Sequence, residues 1–139
     1  MPKSTSEKKI TGVVVPLGAL YSKDNPVIGE FADLIPFAQF CRTSGLQLIQ
    51  LLPVNDTGTQ SSPYSGLSAF ALHPIYIRLK DIEGFEKLYA EDSKFKKLYD
   101  SLKKNHKYSL RYDYDGILNE KNAILRMIYD STETGQTGS

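Results

Sequence analysis

The stretch from residue 10 to residue 54 opens with ITGVVVPL (10–17) and closes with LQLIQLLPV (46–54). The first run is short, β-branched and without helical periodicity, which is typical of a strand buried on both faces, and the second run is also strand-like. Between them, apolar residues recur at three- and four-residue spacing, which indicates a helix. This order of strand, helix and strand predicts a βαβ unit with parallel strands and a right-handed crossover, and hence an α/β sheet or barrel.

The ends of the predicted helix are marked by residues with known terminal preferences. Asp33 can act as the N-cap, and Pro36 then falls in the first turn, where a missing backbone N–H costs little. Gly45 suits the left-handed residue that closes a helix. Cys41 lies on the apolar stripe, so we interpret it as a core residue rather than as a nucleophile.

A polar loop follows the second predicted strand. Residues 55–67 (NDTGTQSSPYSGL) are rich in Gly, Ser, Thr, Asn and Asp, and they precede a further apolar run at 70–79. Ligands of parallel α/β proteins usually bind at the carboxyl ends of the strands, so this loop is in a functional location. His73 begins the apolar run, which we expect to be a strand, and a structural role is favoured for this histidine over a role as ligand or base.

The chain after residue 80 is rich in lysine and amphipathic. A helical pair with aromatic core contacts is predicted by apolar residues at helical spacing, namely Phe85, Leu88, Tyr89, Phe95, Leu98, Tyr99 and Leu102. A further amphipathic helix is expected at 116–130, built on Ile117, Glu120, Lys121, Ile124, Leu125 and Ile128. His106 stands in a lysine-rich stretch and is expected to be solvated. Asp113 and Asp115 flank a tyrosine close to Arg111, and a salt-bridged structural role is favoured for them over a paired-carboxylate site.

The composition excludes several classes of function. The chain has 139 residues, of which 40% are hydrophobic and 24% charged, as in one ordinary soluble domain. Its formal net charge is +1, so no long-range field would draw it to nucleic acid or to a membrane surface. One cysteine allows no intrachain disulfide, and two distant histidines without a Cys pair disfavour zinc, so we expect neither a metal nor a cofactor.

Targeting signals are also missing from the sequence as read. The first nine residues are polar, and no run approaches the ~20 apolar residues of a membrane span, so secretion and membrane insertion are disfavoured. We expect a reduced, cytoplasmic protein.

One segment carries a family resemblance. Residues 50–79 (QLLPVNDTGTQSSPYSGLSAFALHPIYIRL) resemble the first active-site loop of the amylomaltase family, the 4-alpha-glucanotransferases of glycoside hydrolase family 77. That family shows a run close to LPxxxTG and then SPYxSxSAFAxxP. The matching residues are Leu52, Pro53, Thr57, Gly58, Ser62, Pro63, Tyr64, Ser68, Ala69, Phe70, Ala71 and Pro74.

Two other segments support the resemblance, which spans residues 11–129. Residues 22–31 look like the family's GxGxF/L element, and residues 111–114 (RYDY) look like its VDY-type segment before a lysine-bearing helix. The chain looks more like plant cytosolic disproportionating enzymes than like bacterial amylomaltases, which usually have Gln where Ser65 stands and Gly-Asn where Leu72 and His73 stand.

The resemblance implies a fold and an activity. The fold is an interrupted (β/α)8 TIM barrel, of which this chain would form the first βαβ part with a following helical insertion, an incomplete barrel. The activity is retaining transfer of alpha-1,4-glucan segments between maltodextrins or to glucose or polysaccharide acceptors. The expected segments are a flexible start (1–9), the first barrel strands with helix and substrate-side loop (10–79), a helical insertion (80–130) and a flexible tail (131–139).

The resemblance also implies a substrate site. Tyr64 matches a family tyrosine that contacts glucan near the donor side of the cleavage point, and Ser62, Ser65 and Asp56 can supply polar contacts. A sugar ring presents apolar C–H faces and a rim of hydroxyls, which suit an aromatic platform and short hydrogen-bonding side chains. The alternative is that Tyr64 only packs the loop against the barrel rim.

The chemistry of transfer needs more than this chain contains. Retaining transfer uses a carboxylate nucleophile and a carboxylic acid/base about 5 Å apart, and in the family both lie on later barrel strands. No Asp or Glu matches their motifs, so no catalytic residue is assigned and the isolated chain is expected to be inactive. Unpaired strand edges are expected and favour self-association. The alternatives are a non-catalytic glucan-binding module and a small α/β interaction protein.

Overall fold

The computed structural model describes residues 9–23, 25, 27–107 and 111–136. Within these residues the chain forms two strands and four α-helices, which in chain order are β1 (Gly12–Val15), α1 (Leu34–Thr43), β2 (Leu48–Leu51), α2 (Phe85–Glu91), α3 (Ser93–His106) and α4 (Tyr114–Gln136). Short 3₁₀ turns lie at Leu17–Ala19, Phe31–Asp33, Pro74–Tyr76 and Leu79–Asp81. Two parts of the predicted flexible ends, residues 1–8 and 137–139, lie outside the described residues. Asp24, Pro26 and residues 108–110 lie outside them as well.

The predicted βαβ unit is confirmed. β1 and β2 pair in parallel, in a register that runs from Gly12 opposite Leu48 to Val15 opposite Leu51, and α1 lies between them in the chain. The chain is therefore a mixed α/β structure, as predicted.

The prediction that the first strand is buried on both faces is wrong for this chain. Residues along each strand alternate between exposed and half-buried, with Val14 58% and Leu48 55% exposed. Each strand has one paired strand neighbour in the described part of the chain. The apolar side chains of the two strands are therefore less buried than their composition favours. Each strand also has an unpaired edge within the described residues, as expected.

Two of the three residues that the sequence predicts at the ends of α1 take the expected role. Pro36 lies in the first turn, and Gly45 has φ +77° after the helix, where Leu46 N–H donates to Cys41 O (2.9 Å). Cys41 is buried, as expected of a core residue. Asp33, however, makes no side-chain cap to α1. Its Oδ2 accepts from Glu30 N (2.8 Å) in the preceding turn, so this carboxylate orders the turn rather than the helix.

The hydrophobic core lies between the helices of the second half and the turns that precede them. The predicted helical pair is confirmed as α2 and α3, which pack on each other, and α3 also packs on α4. The most buried core members are Ile75, Phe85, Phe95, Ile117 and Ile124. Phe85 contacts Phe95 and Tyr99 edge to face, with ring centroids 5.4 and 4.9 Å apart.

Three further expectations are corrected by the structure. The apolar run 70–79 forms 3₁₀ turns rather than a strand, because Pro74 lacks a backbone N–H for a ladder and the Ile75 N–H is taken by the His73 side chain. His106 is buried rather than solvated, because the end of α3 packs on α4 and brings its Nε2 to 3.3 Å from Glu120 Oε1. Residues 131–136 continue α4 past the predicted end, and the hydroxyl of Ser131 donates to Ile128 O (2.7 Å) within the helix.

Buried charges connect the strand half to the helical half. Lys121 Nζ donates to Glu30 Oε1 (2.6 Å) and to Ile75 O (2.7 Å). Arg78 Nε donates to Glu30 Oε2 (3.2 Å), and Nη2 of the same guanidinium pairs with Asp33. Lys121 is 1% exposed, Asp33 2% and Glu30 6%. We call Glu30, Asp33, Arg78 and Lys121 the buried ionic cluster.

Burial shifts the pKa values of Glu30 and Lys121 in opposite directions. It raises the pKa of Glu30, which Lys121 and Arg78 oppose, and it lowers the pKa of Lys121, which Glu30 opposes. Each charge is thus kept in the interior by its partner. Removing one partner leaves the other buried and uncompensated, whereas an exposed pair is worth little.

Lys121→Met is therefore expected to lower the free energy of unfolding by about 3–5 kcal/mol, because it leaves Glu30 without its closest cation and Ile75 O without its donor. Urea unfolding followed by circular dichroism measures the change. Arg126→Met, at an exposed position of the same helix, is the matched control and should change stability by less than about 0.5 kcal/mol. Equal stability of the two variants would contradict the structural role of the cluster.

Candidate functional site

The carboxyl ends of the two parallel strands point to one side of the molecule. Pro16 follows β1 and Leu52 follows β2, and the long loop that the sequence predicted leaves from there. Between Leu51 and Pro74 the described chain forms no helix or strand beyond an isolated antiparallel bridge between Asn55 and Leu72. The segment 52–73 contains the loop that the sequence predicts to lie on the substrate side, and it is hereafter called the substrate loop.

The base of the substrate loop is closed by backbone hydrogen bonds. Asp56 N–H donates to Ala71 O (2.8 Å), His73 N–H to Val54 O (3.0 Å) and Leu67 N–H to Asp56 O (2.7 Å). These bonds bring the two ends of the loop together, so its tip projects as a single unit from the end of β2.

His73 connects the loop to the start of α4 through hydrogen bonds. Its Nδ1 accepts from Ile75 N–H (3.2 Å), so the neutral ring carries its proton on Nε2. Nε2 lies 2.6 Å from Tyr114 Oη, whose hydroxyl can in turn donate to Thr57 Oγ1 (3.1 Å). Thr57 Oγ1 donates to Gln60 O (2.6 Å).

These hydrogen bonds form a directed chain from His73 through Tyr114, at the start of α4, to Thr57 and Gln60 of the loop. His73 is 2% exposed and Thr57 4%. Burial raises the pKa of Tyr114, which keeps its hydroxyl protonated and able to donate at neutral pH. The structural role predicted for His73 is confirmed, with Tyr114 as a partner that the sequence did not reveal.

The four residues predicted to bind substrate share the loop but not the same surroundings. Tyr64 is 74% exposed at the tip, and Ser62 and Ser65 are exposed on either side of it in a turn where Ser65 N–H donates to Ser62 O (3.1 Å). The carboxylate of Asp56 accepts from Gly58 N–H (2.8 Å) and lies 3.8 Å from His73 Nε2. Asp56 therefore holds the loop, whereas Tyr64 and the two serines face outward.

A shallow hollow lies beside the Tyr64 ring. It is lined by Pro53, Asn55, Pro63, Tyr64, Gly66, Ser68 and Ala69. No residue of this lining carries a charge, so the hollow suits a neutral ligand with apolar and hydroxyl surfaces.

Asp113 Oδ1 accepts from Gly116 N–H (3.0 Å) and so orders the first turn of α4, which is a structural role for that carboxylate. In the described ranges, no group of three or more His, Cys, Asp or Glu side chains could hold a metal ion. No helix in the described part of the chain is long and apolar enough to cross a membrane.

Tyr114→Phe is expected to loosen the substrate loop without unfolding the protein, because it removes the hydroxyl between His73 and Thr57 and keeps the ring. Loss of about 1 kcal/mol of local stability should speed amide exchange at residues 57–60 roughly fivefold. Native-state hydrogen exchange measures this. Tyr129→Phe, which removes an exposed hydroxyl on α4, is the control. Exchange at 57–60 that is equal in both variants would contradict the hydrogen-bonded chain.

Comparisons with known proteins match most of the chain. A family described as 4-alpha-glucanotransferase matches residues 15–139. The 4-alpha-glucanotransferase of Chlamydia trachomatis is 40% identical over 87 residues, which cover 63% of this chain and 16% of that protein. The 4-alpha-glucanotransferase of Chlamydia muridarum is 33% identical over 115 residues, covering 83% of this chain and 21% of the relative.

A plant relative covers a similar share. The protein named 4-alpha-glucanotransferase DPE2 of Oryza sativa subsp. japonica is 38% identical over 125 residues, covering 85% of this chain and 12% of the relative. The chain thus spans about an eighth to a fifth of the length of these relatives.

Proposed function

This chain belongs to the 4-alpha-glucanotransferase family, and we propose that it supplies the first strands and a substrate-binding loop of an enzyme that transfers alpha-1,4-glucan segments. The donors are maltodextrins, and the acceptors are other maltodextrins, glucose or polysaccharide. The observation that carries the proposal is the family match over residues 15–139, which includes the whole substrate loop with Tyr64 exposed at its tip.

The finer fold proposed is the opening of a (β/α)8 barrel. The parallel pair β1 and β2 with α1 as crossover is the repeating unit of that fold, and the open edges and exposed apolar residues on the strands suit further strands on either side. In the absence of those strands the same edges favour self-association. The helices α2, α3 and α4 form the insertion that follows the substrate loop.

The chemistry of transfer determines the roles that we propose for this chain and for the rest of the enzyme. Covalent transfer with retention needs two carboxyl groups about 5 Å apart across the scissile bond. The described residues at the carboxyl ends of β1 and β2 include Asp56, which is held by the loop, but no matching partner. This chain would therefore bind and orient the glucan, and the reacting carboxylates would come from other parts of the enzyme.

Tyr64 is the proposed platform for a glucosyl ring. Its exposed face can stack on the apolar C–H face of the sugar, and the hydroxyls of Ser62 and Ser65 can bond the sugar rim. Asp56 would contribute indirectly by holding the loop in shape. The single buried cysteine fits the reducing cytoplasm in which we place the enzyme.

The isolated 139-residue chain is expected to show no transferase activity, since it supplies binding groups without a nucleophile and acid/base pair. Incubation with maltotriose, followed by chromatography of the products, measures disproportionation, and a reducing-sugar assay measures hydrolysis. Turnover by the purified chain above the buffer rate would contradict the proposal that the reacting carboxylates come from other parts of the enzyme.

Glucan binding by the chain is expected to depend on the Tyr64 ring. Tyr64→Ala should weaken maltoheptaose binding about five- to tenfold, a change of about 1–1.4 kcal/mol, because the stacking surface is lost. Tyr64→Phe keeps the ring and should bind like the unmodified chain. Isothermal titration calorimetry measures the affinities, with Tyr129→Ala on α4 as the control for loss of an exposed tyrosine. Unchanged affinity in Tyr64→Ala would rule out the platform.

A further inference from the structure

A cavity lies against the buried ionic cluster, and none of its lining residues belongs to the substrate loop. Its volume is about 440 Å³, including space open to solvent. The walls come from the turn before α1, the 3₁₀ turn around Lys80, and the helices α3 and α4. The charged lining residues are Glu30, Arg78, Lys80, Lys103 and Lys121, and Tyr99 lies among them. We call it the basic cavity.

Positive charge exceeds negative charge around the basic cavity. The lining contains four cations and one carboxylate, Glu30. A second carboxylate, Asp33, pairs with Arg78. Four cations against two carboxylates leave an excess of two positive charges. A concave site with an excess of one sign of charge attracts ligands of the opposite sign, so this cavity favours an anion.

The excess charge is carried by Lys80 and Lys103. Within the described ranges, neither of these lysines makes an ion pair. Lys103 Nζ lies 5.8 Å from the centroid of the Tyr99 ring. Glu86 and Asp100 line a neighbouring hollow that shares the two lysines, but neither carboxylate pairs with them. Both ammonium groups are therefore available to a ligand.

Two further donors at the cavity have no acceptor in the described part of the chain. Tyr99 is 8% exposed, and no described residue hydrogen-bonds its hydroxyl. Burial, assisted by the charge of Glu30, raises the pKa of Tyr99 to about 12, so the hydroxyl keeps its proton at neutral pH. Arg78 uses Nε and Nη2 on the carboxylates of Glu30 and Asp33, and its Nη1 bonds no described residue. A ligand with several acceptor oxygens can use both donors.

These features together define the chemical class of the ligand. A phosphate group carries a charge of about −1.5 to −2 at pH 7 and presents three strong acceptor oxygens. Its charge matches the excess of two positive charges, and its oxygens suit the mixture of guanidinium, ammonium and hydroxyl donors. A neutral glucan makes no use of this charge.

We propose that the basic cavity binds a phosphate group, carried by inorganic phosphate or by a small sugar phosphate, with Lys80, Tyr99 and Lys103 as its contacts beyond the buried ionic cluster. The bound anion joins α3 to the turn at Lys80 and to the ionic cluster, and so stabilises the folded chain. This inference does not depend on glucan as a ligand of the substrate loop.

Amide NMR of the full 139-residue chain, titrated with sodium phosphate at constant ionic strength, tests the site. Saturable shifts are expected at Lys80, Tyr99 and Lys103, and none at the tip of the substrate loop. A parallel titration with glucose 6-phosphate distinguishes the two sources. Equal affinity for both compounds identifies the phosphate group alone as the ligand, and tighter binding of the ester identifies a sugar phosphate.

Lys103→Gln is expected to weaken phosphate binding about tenfold, because it removes a charged donor and half of the excess charge. Lys104→Gln removes the same charge from the next residue, which is exposed and outside the lining, and should bind like the unmodified chain. Lys80→Gln, at an exposed position, is the second variant and should show a similar loss even if Lys103→Gln does not fold.

Equal phosphate affinity in Lys80→Gln, Lys103→Gln and Lys104→Gln would overturn the proposal, since the binding would then reflect overall charge. Absence of saturable shifts with both phosphate compounds would overturn it as well. Tyr64→Ala is expected to leave phosphate affinity unchanged, so failure of this site and failure of glucan binding are distinguishable.

Discussion

The pairing of Lys121 with Glu30 is the interaction on which the arrangement of the molecule depends. It joins side chains 91 positions apart, one from the turn before α1 and the other from the middle of α4. The two strands are only four residues long and are partly exposed, so they cannot by themselves hold the helical half in place. Lys121 also bonds Ile75 O, and Arg78 bonds Glu30, so the turn that carries Tyr76 is tied to the same point. The start of α4, which carries Tyr114, is positioned as a consequence.

Patterns within short stretches of the sequence predict those parts of the fold that depend on interactions between nearby residues. The apolar runs before and after α1 became paired parallel strands, Gly45 adopted the left-handed conformation, and the aromatic spacing of α2 and α3 placed Phe85 and Phe95 in the core. The failures concern partners that are distant in sequence. The sequence predicts that Asp33 caps a helix, whereas in the structure it pairs with Arg78. It also predicts that His106 is solvated, whereas in the structure His106 lies beside Glu120. Pro74 is a local signal against a strand at 70–79, and it outweighs the apolar composition there.

The same distinction applies to the candidate site. Tyr64 could be predicted because it stands within one continuous motif, and its exposure at the loop tip fits a stacking role. The cleft lined by Tyr76, Tyr112 and Tyr114 could not be predicted, because its walls come from segments that the fold brings together from residues 16 to 114. The hydrogen-bonded chain through His73 and Tyr114 connects the two: it holds the loop that bears Tyr64 and one wall of the cleft at once. The result is an aromatic face at the carboxyl ends of the strands, with Arg111 beside Ser61, Tyr112 and Tyr114.

The central claim is that glucan binds along this face, and aromatic-ring NMR during titration with maltoheptaose tests it most directly. The chain has nine tyrosines and no tryptophan, so the tyrosine rings report on separate parts of the surface. The account predicts saturable shifts at Tyr64, with Tyr89 and Tyr129 on the helices unchanged. Shifts at Tyr89 or Tyr129 without a shift at Tyr64, or no shifts at any ring, would contradict it.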